Sequence, residues 1–174
     1  RTQFDSKLVR FQSLQERLSA QISALYRDLG KEFARYAGLF LDEQCTVELD
    51  LLGDRARRRG PQVDPTHAAF YPVINGTPRY RPEELSEAQR LFVDIAFRMA
   101  VLELWRKKTG STATFIVETP EGTVDLAYMV RVGSMLSAFA ARGHTVIVTT
   151  NLNNDQFLPD LFQATPKKER ASRI

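Results

Sequence analysis

Cysteine and histidine are nearly missing from this chain, and their scarcity narrows its chemistry first. One cysteine, Cys45, and two histidines, His67 and His144, occur in 174 residues. No internal disulfide can form and no Cys/His spacing for a zinc site exists. A reducing, cytoplasmic setting is the expectation. No run of about eighteen apolar residues occurs and no secretory leader is visible, so no membrane partner is expected. A phosphate-binding loop, Gly-x-x-x-x-Gly-Lys-Ser/Thr, is absent too: Gly30-Lys31 has neither the upstream glycine nor the following hydroxyl. Internal repeats and low-complexity segments are lacking. The net charge of +3 is too small to argue for nucleic acid by itself. With 43% hydrophobic and 26% charged residues, the chain can bury one core and carry an appendage. It opens at Arg1 within a helical pattern, which reads as a piece of something longer.

What is present centres on Thr114 to Asp125. A short apolar run, Phe115-Ile116-Val117, ends in Glu118; Pro120 and Gly122 force a turn, and Glu121 and Asp125 follow. A helix is expected from Val124 to Arg142, with Val124, Tyr128, Val132, Met135, Leu136 and Phe139 on or near one face. A second buried strand, Thr145 to Thr150, ends in Asn151. Strand, crossover helix and strand predict a parallel pair whose carboxyl ends share one edge. Ligands of open α/β sheets bind at that edge, so Glu118, Glu121, Asp125, Thr150 and Asn151 should face one site.

Ahead of this unit, Phe4, Leu8, Phe11, Gln15, Leu18, Ile22, Leu25 and Leu29 recur at alternating spacings of four and three, a coiled-coil seam with one polar position. An amphipathic helix lying on its own domain is the alternative. The seam degrades around Asp28 to Gly30, and Phe33, Tyr36, Leu39 and Phe40 should carry the helix onto the core. Thr46 to Leu51 alternates as a strand. The loop Gly53 to Pro61 holds Arg55, Arg57, Arg58 and Arg59, which suit phosphate contacts on DNA or read as a solvated loop. Ala69 to Ile74 should turn through Asn75-Gly76 into Thr77 to Tyr80, with Pro72 and Pro78 marking edge strands. Ser86 and Gln89 form a capping box at the start of a helix running to about Trp105. That helix is apolar except for a stripe of Arg90, Asp94 and Arg98, which predicts deep burial. A short segment, Phe157 to Phe162, should pack on the domain before a basic tail. The organisation is therefore an arm (1–40), an α/β lobe with parallel strands and a hairpin region (41–165), and a tail (166–174).

Taken together, the helix opening Leu85-Ser86-Glu87-Ala88-Gln89, the apolar strand ending in acid, the Pro-containing turn, Val124-Asp125 and the strand ending Thr149-Thr150-Asn151 resemble a known order. It is that of the carboxyl-terminal lobe of ABC-type ATPase heads, P-loop NTPase-like in fold. The coiled-coil lead-in points to the SMC, RecN and RecF branch, and the Glu-Thr-Pro-Glu turn with Thr-Thr-Asn resembles SMC-type ATPases of anti-phage systems such as Lamassu. The resemblance implies that Leu85 to Gln89 act as the signature motif, contacting the γ-phosphate of ATP held by an opposite head. Ala88 stands where a glycine is usual. Val124 and Asp125 take the D-loop position, and Thr150 and Asn151 the switch region. Glu118 would hold Mg²⁺ through water, and Glu121 would activate the attacking water. Thr119 and Thr150 replace the usual glutamate and histidine, so turnover is expected to be slow. The implied partners are an amino-terminal lobe supplying the phosphate-binding loop, a second head as homodimer, DNA, and nuclease or effector subunits. The implied roles are DNA sensing, repair or antiviral defence.

Two other readings fit the same residues. Glu118, Glu121 and Asp125 at a strand end suit a metal-dependent nuclease. A catalytically silent dimerisation or scaffold module fits the non-ionisable Thr119 and Thr150.

Overall fold

A computed structural model describes residues 2–41, 44–50, 69–118 and 128–150. The first element, α1 (Thr2–Leu41), is one unbroken helix of 40 residues, about 60 Å long at the usual rise. Its apolar stripe does not degrade near Gly30. Leu18, Leu25, Leu29, Phe33, Tyr36 and Phe40 continue the spacing of three and four, and only their surroundings change. Leu8, Phe11, Leu18 and Leu25 are exposed, whereas Leu29, Phe33, Tyr36, Ala37 and Phe40 are buried. Leu39, expected on the core, is exposed, and Ala37, two residues earlier, faces inward with Tyr36 and Phe40. The side chains of Phe4 and Gln15 lie outside the described residues.

Strands β1 (Cys45–Asp50), β2 (Ala69–Ile74) and β3 (Thr77–Pro78) form an antiparallel sheet in that order. The β2–β3 turn has positive φ at both Asn75 and Gly76, the hairpin geometry that this pair of residues favours. Pro78 is on an edge strand as expected, but Pro72 is not: β2 is the central strand, and Pro72 lies opposite Val47. The sheet tolerates it because N and O of one residue point the same way in an antiparallel strand. The Pro72 carbonyl accepts from the Arg79 N–H at 2.8 Å, just past the end of β3, so the missing donor falls where the ladder has already stopped.

Helix α2 (Glu87–Thr109) begins at the Ser86 capping box and ends at Gly110, whose φ of 74° suits glycine at a helix carboxyl end. Its inner stripe is Phe92, Ile95, Ala96, Met99, Ala100 and Glu103, all buried. Deep burial on nearly all sides is not what is found: Val101 is 44% and Trp105 58% exposed, because the described elements cover one side of the helix. Phe40 of α1 stacks on Phe92 of α2 with ring centroids 3.8 Å apart.

Strand β4 (Thr114–Glu118), helix α3 (Met129–Ala140) and strand β5 (Thr145–Thr149) make the expected parallel unit, with Thr114 opposite Thr145 and Glu118 opposite Thr149. Within it, α3 buries Met129, Val132, Met135, Leu136 and Phe139. Tyr128 is exposed, beside the Arg131 guanidinium, and Met129 has the inward place assigned to it. Val124 lies outside the described residues. The strands are not buried as the run of apolar residues implies. Val117 is buried on the helix side, while Ile116 and Ile147, side by side on the other face, are 66% and 45% exposed. Parallel sheets are normally covered on both faces. Among the described residues the helices cover one face of this pair. All three helices and the inner faces of both sheets share a single core.

Candidate functional site

Residues with polar chemistry gather at three places. The first is the start of α2. Ser86 is extended at φ −63° and ψ 163°; its Oγ accepts from the Gln89 N–H at 3.2 Å, while Gln89 Oε1 accepts from the Ser86 N–H at 3.0 Å. A short 3-10 turn, Pro82–Glu84, leads in, and Leu85 N–H donates to the Pro82 carbonyl. Ser86 and Glu87 are exposed, with Leu85, Ala88 and Gln89 half-buried. The buried inner stripe of α2 fixes where this helix end points. The first two amides of the helix, at Glu87 and Ala88, have no carbonyl one turn back, so they and the helix dipole present partial positive charge to solvent. The Glu87 carboxylate opposes it for an anion.

The second place is the carboxyl edge of the parallel pair. Glu118 ends β4 in solvent, level with Thr149, and half-buried Thr150 follows β5. The structure thus brings Glu118 and Thr150 to one edge. Glu121, Val124, Asp125 and Asn151 lie outside the described residues, as do Thr119, the loop arginines Arg55, Arg57, Arg58 and Arg59, and everything after Thr150. An exposed carboxylate with neighbouring hydroxyls is an all-oxygen donor set. That set suits Mg²⁺, which keeps several waters and takes one or two carboxylates. Among the described residues, no three His, Cys, Asp or Glu side chains converge as a metal cluster.

A third polar cluster went unread in the sequence, and it sits at the opposite, amino-terminal edge of the same strands. Glu103 of α2 is fully buried. Its Oε1 accepts from the Tyr36 hydroxyl at 3.3 Å and meets His144 Nε2 at 3.2 Å; its Oε2 accepts from Arg106 Nη2 at 3.1 Å and Arg142 Nη1 at 2.9 Å. The Ala113 N–H donates to His144 Nδ1 at 3.0 Å, so Nε2 carries the ring hydrogen and donates to Glu103. His144 also stacks on Phe139, 4.1 Å between centroids. Arg142 Nη1 is shared with buried Glu32 of α1, which accepts from Lys107 at 2.8 Å and Arg35 at 3.2 Å as well. Burial alone would raise the Glu32 pKa, but the hydrogen bonds and charges of Lys107 and Arg35 outweigh it and hold the carboxyl below its ordinary value. Burial, then the Glu103 charge, pushes the Tyr36 hydroxyl well above its own. The cluster joins the base of the arm helix to α2 and to the α3–β5 turn. Its signal was Glu103 itself, a carboxylate spaced by four and three from Phe92, Ala96 and Met99 on the apolar stripe of α2.

No family model matches the chain, and no curated protein matches it in sequence. Solved structures do match. The fold resembles SMC head domains. An Smc head with coiled coil and joint from Pyrococcus yayanosii aligns over 90% of this chain at 16% identity and a TM-score of 0.59. An Smc head bound to the C-winged helix domain of ScpA aligns over 78% at 14% identity and 0.50. A third structure, concerned with ATP-driven dimerisation and DNA-stimulated activation of SMC ATPases, aligns over 81% at 14% identity and 0.50. The chain spans 27%, 37% and 76% of these three chains in turn. Among the described residues no helix is long and apolar enough to cross a membrane.

Proposed function

We propose that this chain is the carboxyl-terminal lobe of an SMC-type ABC ATPase head, P-loop NTPase-like in class, with 1–40 as the end of a coiled-coil arm, 41–165 as the lobe and 166–174 as a basic tail. The observation that carries the reading is the bare outer face of the β4–β5 pair. A parallel sheet with Ile116 and Ile147 in solvent is half of a covered sheet, and the similar SMC heads are longer chains than this one. An amino-terminal lobe supplying the missing phosphate-binding loop is the partner that fits. ATP would then sit between two heads. Mg²⁺ supplies charge neutralisation at the β- and γ-phosphates when bound. On this reading Leu85 to Gln89 approach the γ-phosphate from the opposite head, and Val124 and Asp125 cross the dimer interface. Glu118 holds the metal through water, Glu121 orients the attacking water, and Thr150 and Asn151 line the switch region. Hydrolysis is slow, since Thr119 takes no proton from water. Arg55, Arg57, Arg58 and Arg59 contact DNA, nuclease or effector subunits complete the assembly, and the setting is cytoplasmic. The biological role is DNA sensing or repair, or Lamassu-like anti-phage defence.

Sedimentation of the chain with its amino-terminal lobe, with and without ATP and Mg²⁺, tests this. ATP should drive a larger species that Ser86→Arg abolishes by steric and charge conflict with phosphate. Glu121→Gln should preserve that species and lower turnover. Normal turnover and assembly in both variants would remove the assignment.

A further inference from the structure

Between α2 and the inner face of the antiparallel sheet lies a groove of about 450 Å³ that meets the proposed ATP chemistry only at Leu85. Its floor is apolar, with Phe33 of α1, Phe70 of β2 and Phe97 of α2 among its residues, and Leu85 at the end nearest the start of α2. Its charges are one-sided. Arg79, Arg81 and Arg90 line it against a single carboxylate, Asp94, which is already paired with Arg98 at 2.8 Å. Glu83, Glu84 and Glu87 follow closely in sequence but do not line it, and Glu84 accepts from the Tyr80 N–H at 2.8 Å. Arg79 Nε is buried and makes no hydrogen bond; among the described residues no other buried side-chain nitrogen or oxygen lacks a partner. Arg79 as a whole is half-buried, and an unmade hydrogen bond at its one buried nitrogen is costly.

The lining selects the class of occupant. A nucleobase needs a flat ring face to stack on and acceptors for its exocyclic amines. Here Phe70 meets Phe97 edge-on and Tyr71 meets Tyr80 tilted, so neither pair is set parallel to clamp a base, and the one lining carboxylate is engaged by Arg98. An apolar side chain beside a carboxylate matches both the floor and the guanidinium groups, since carboxylates accept in the plane of an Arg fork. Residues 51–68, with four arginines against two aspartates, match it poorly in charge. We propose that the groove is a docking site for an acidic peptide segment of a partner protein, anchored by one large aromatic or aliphatic side chain with a flanking Asp or Glu on Arg79 and Arg90.

A displayed library of random dodecapeptides, panned on the immobilised chain, tests this without a known partner. Enriched peptides should place Asp or Glu next to Phe, Trp, Leu or Ile. A fluorescein-labelled peptide from that set should lose about tenfold in affinity with Arg79→Ala, and similarly with Arg90→Ala, whose exposed side chain makes misfolding no explanation. Arg79→Lys should restore only part, because lysine lacks the planar fork. Neutral or basic consensus peptides, no enrichment, binding indifferent to both arginines, or displacement by adenosine monophosphate at equal concentration would each overturn the proposal.

Discussion

Ile116 and Val117 are neighbours in one short strand, yet one is 66% exposed and the other 6%. The two faces of the β4–β5 pair live in different surroundings. On the inner face Phe115 meets Phe139 edge-on, and Phe139 in turn packs on Tyr36 and His144. The outer face carries Ile116 and Ile147 side by side, 66% and 45% exposed. The same contrast runs along α1, whose apolar stripe is exposed at Leu8, Phe11, Leu18 and Leu25 and buried from Leu29. In both places the residue pattern asks for a partner along its whole length, and the described chain supplies half.

The contrast yields predictions of very different size. Glu103→Ala strikes the inner side and should cost most. It leaves the Tyr36 hydroxyl and His144 Nε2 without their acceptor and takes one carboxylate from Arg106 and from Arg142, which keeps Glu32, a loss of about 3–5 kcal/mol for breaking a buried pair. The melting temperature should fall by on the order of 10 °C for a chain of this length. A loss comparable to a surface substitution would show that the cluster does not tie the arm to the lobe.

The pH dependence of that cluster comes next. The Glu32 carboxyl is held below its ordinary value, so its contribution is full above the usual carboxylate range and is lost as pH falls through the folded value. Tyr36 is shifted upward, so its contribution is full below the ordinary tyrosine range and lost as pH rises beyond it. Denaturant titrations between about pH 5 and 3 should show a shallower decline in stability for Glu32→Gln than for the wild type. Parallel declines would sink the linkage.

Smaller still, Ser86→Ala removes the hydroxyl of the cap and should cost about 1 kcal/mol in equilibrium unfolding. Smallest of all is Ile116→Thr, on the bare face, which should change stability by no more than about 0.5 kcal/mol. A large loss there would mean that the outer face is already covered.

The sequence made the elements legible because each obeys its own period. The seam of α1, the Asn75-Gly76 hairpin, the Ser86 and Gln89 cap and the strand–helix–strand unit are local patterns with local causes. The parallel pair was also correctly placed with its carboxyl ends on one edge. What misled was context. An apolar run such as Phe115-Ile116-Val117 reads as buried whether or not the covering layer is in the same chain. Pro72 reads as an edge residue unless the end of β3 is known. Tyr128 and Met129 differ by one helical step, which periodicity does not resolve. Glu103 was hidden because one carboxylate among leucines looks like surface, and only the convergence of Tyr36, Arg142 and His144 from distant segments makes it interior. Of the candidate site, the Ser86 cap and the place of Glu118 at a strand end were legible from motif and period. The roles of Ser86, Glu118, Glu121 and Asp125 rest on the resemblance alone.

The most direct measurement is sedimentation velocity of the chain mixed with its amino-terminal lobe, for the wild type and for Ile116→Lys, each first shown to be folded by circular dichroism. The account predicts a one-to-one complex for the wild type and two separate species for the variant, because a lysine ammonium would be buried where the two lobes meet. An unaltered complex with Ile116→Lys, or no complex with the wild type, would contradict the claim that this face is one half of a shared sheet.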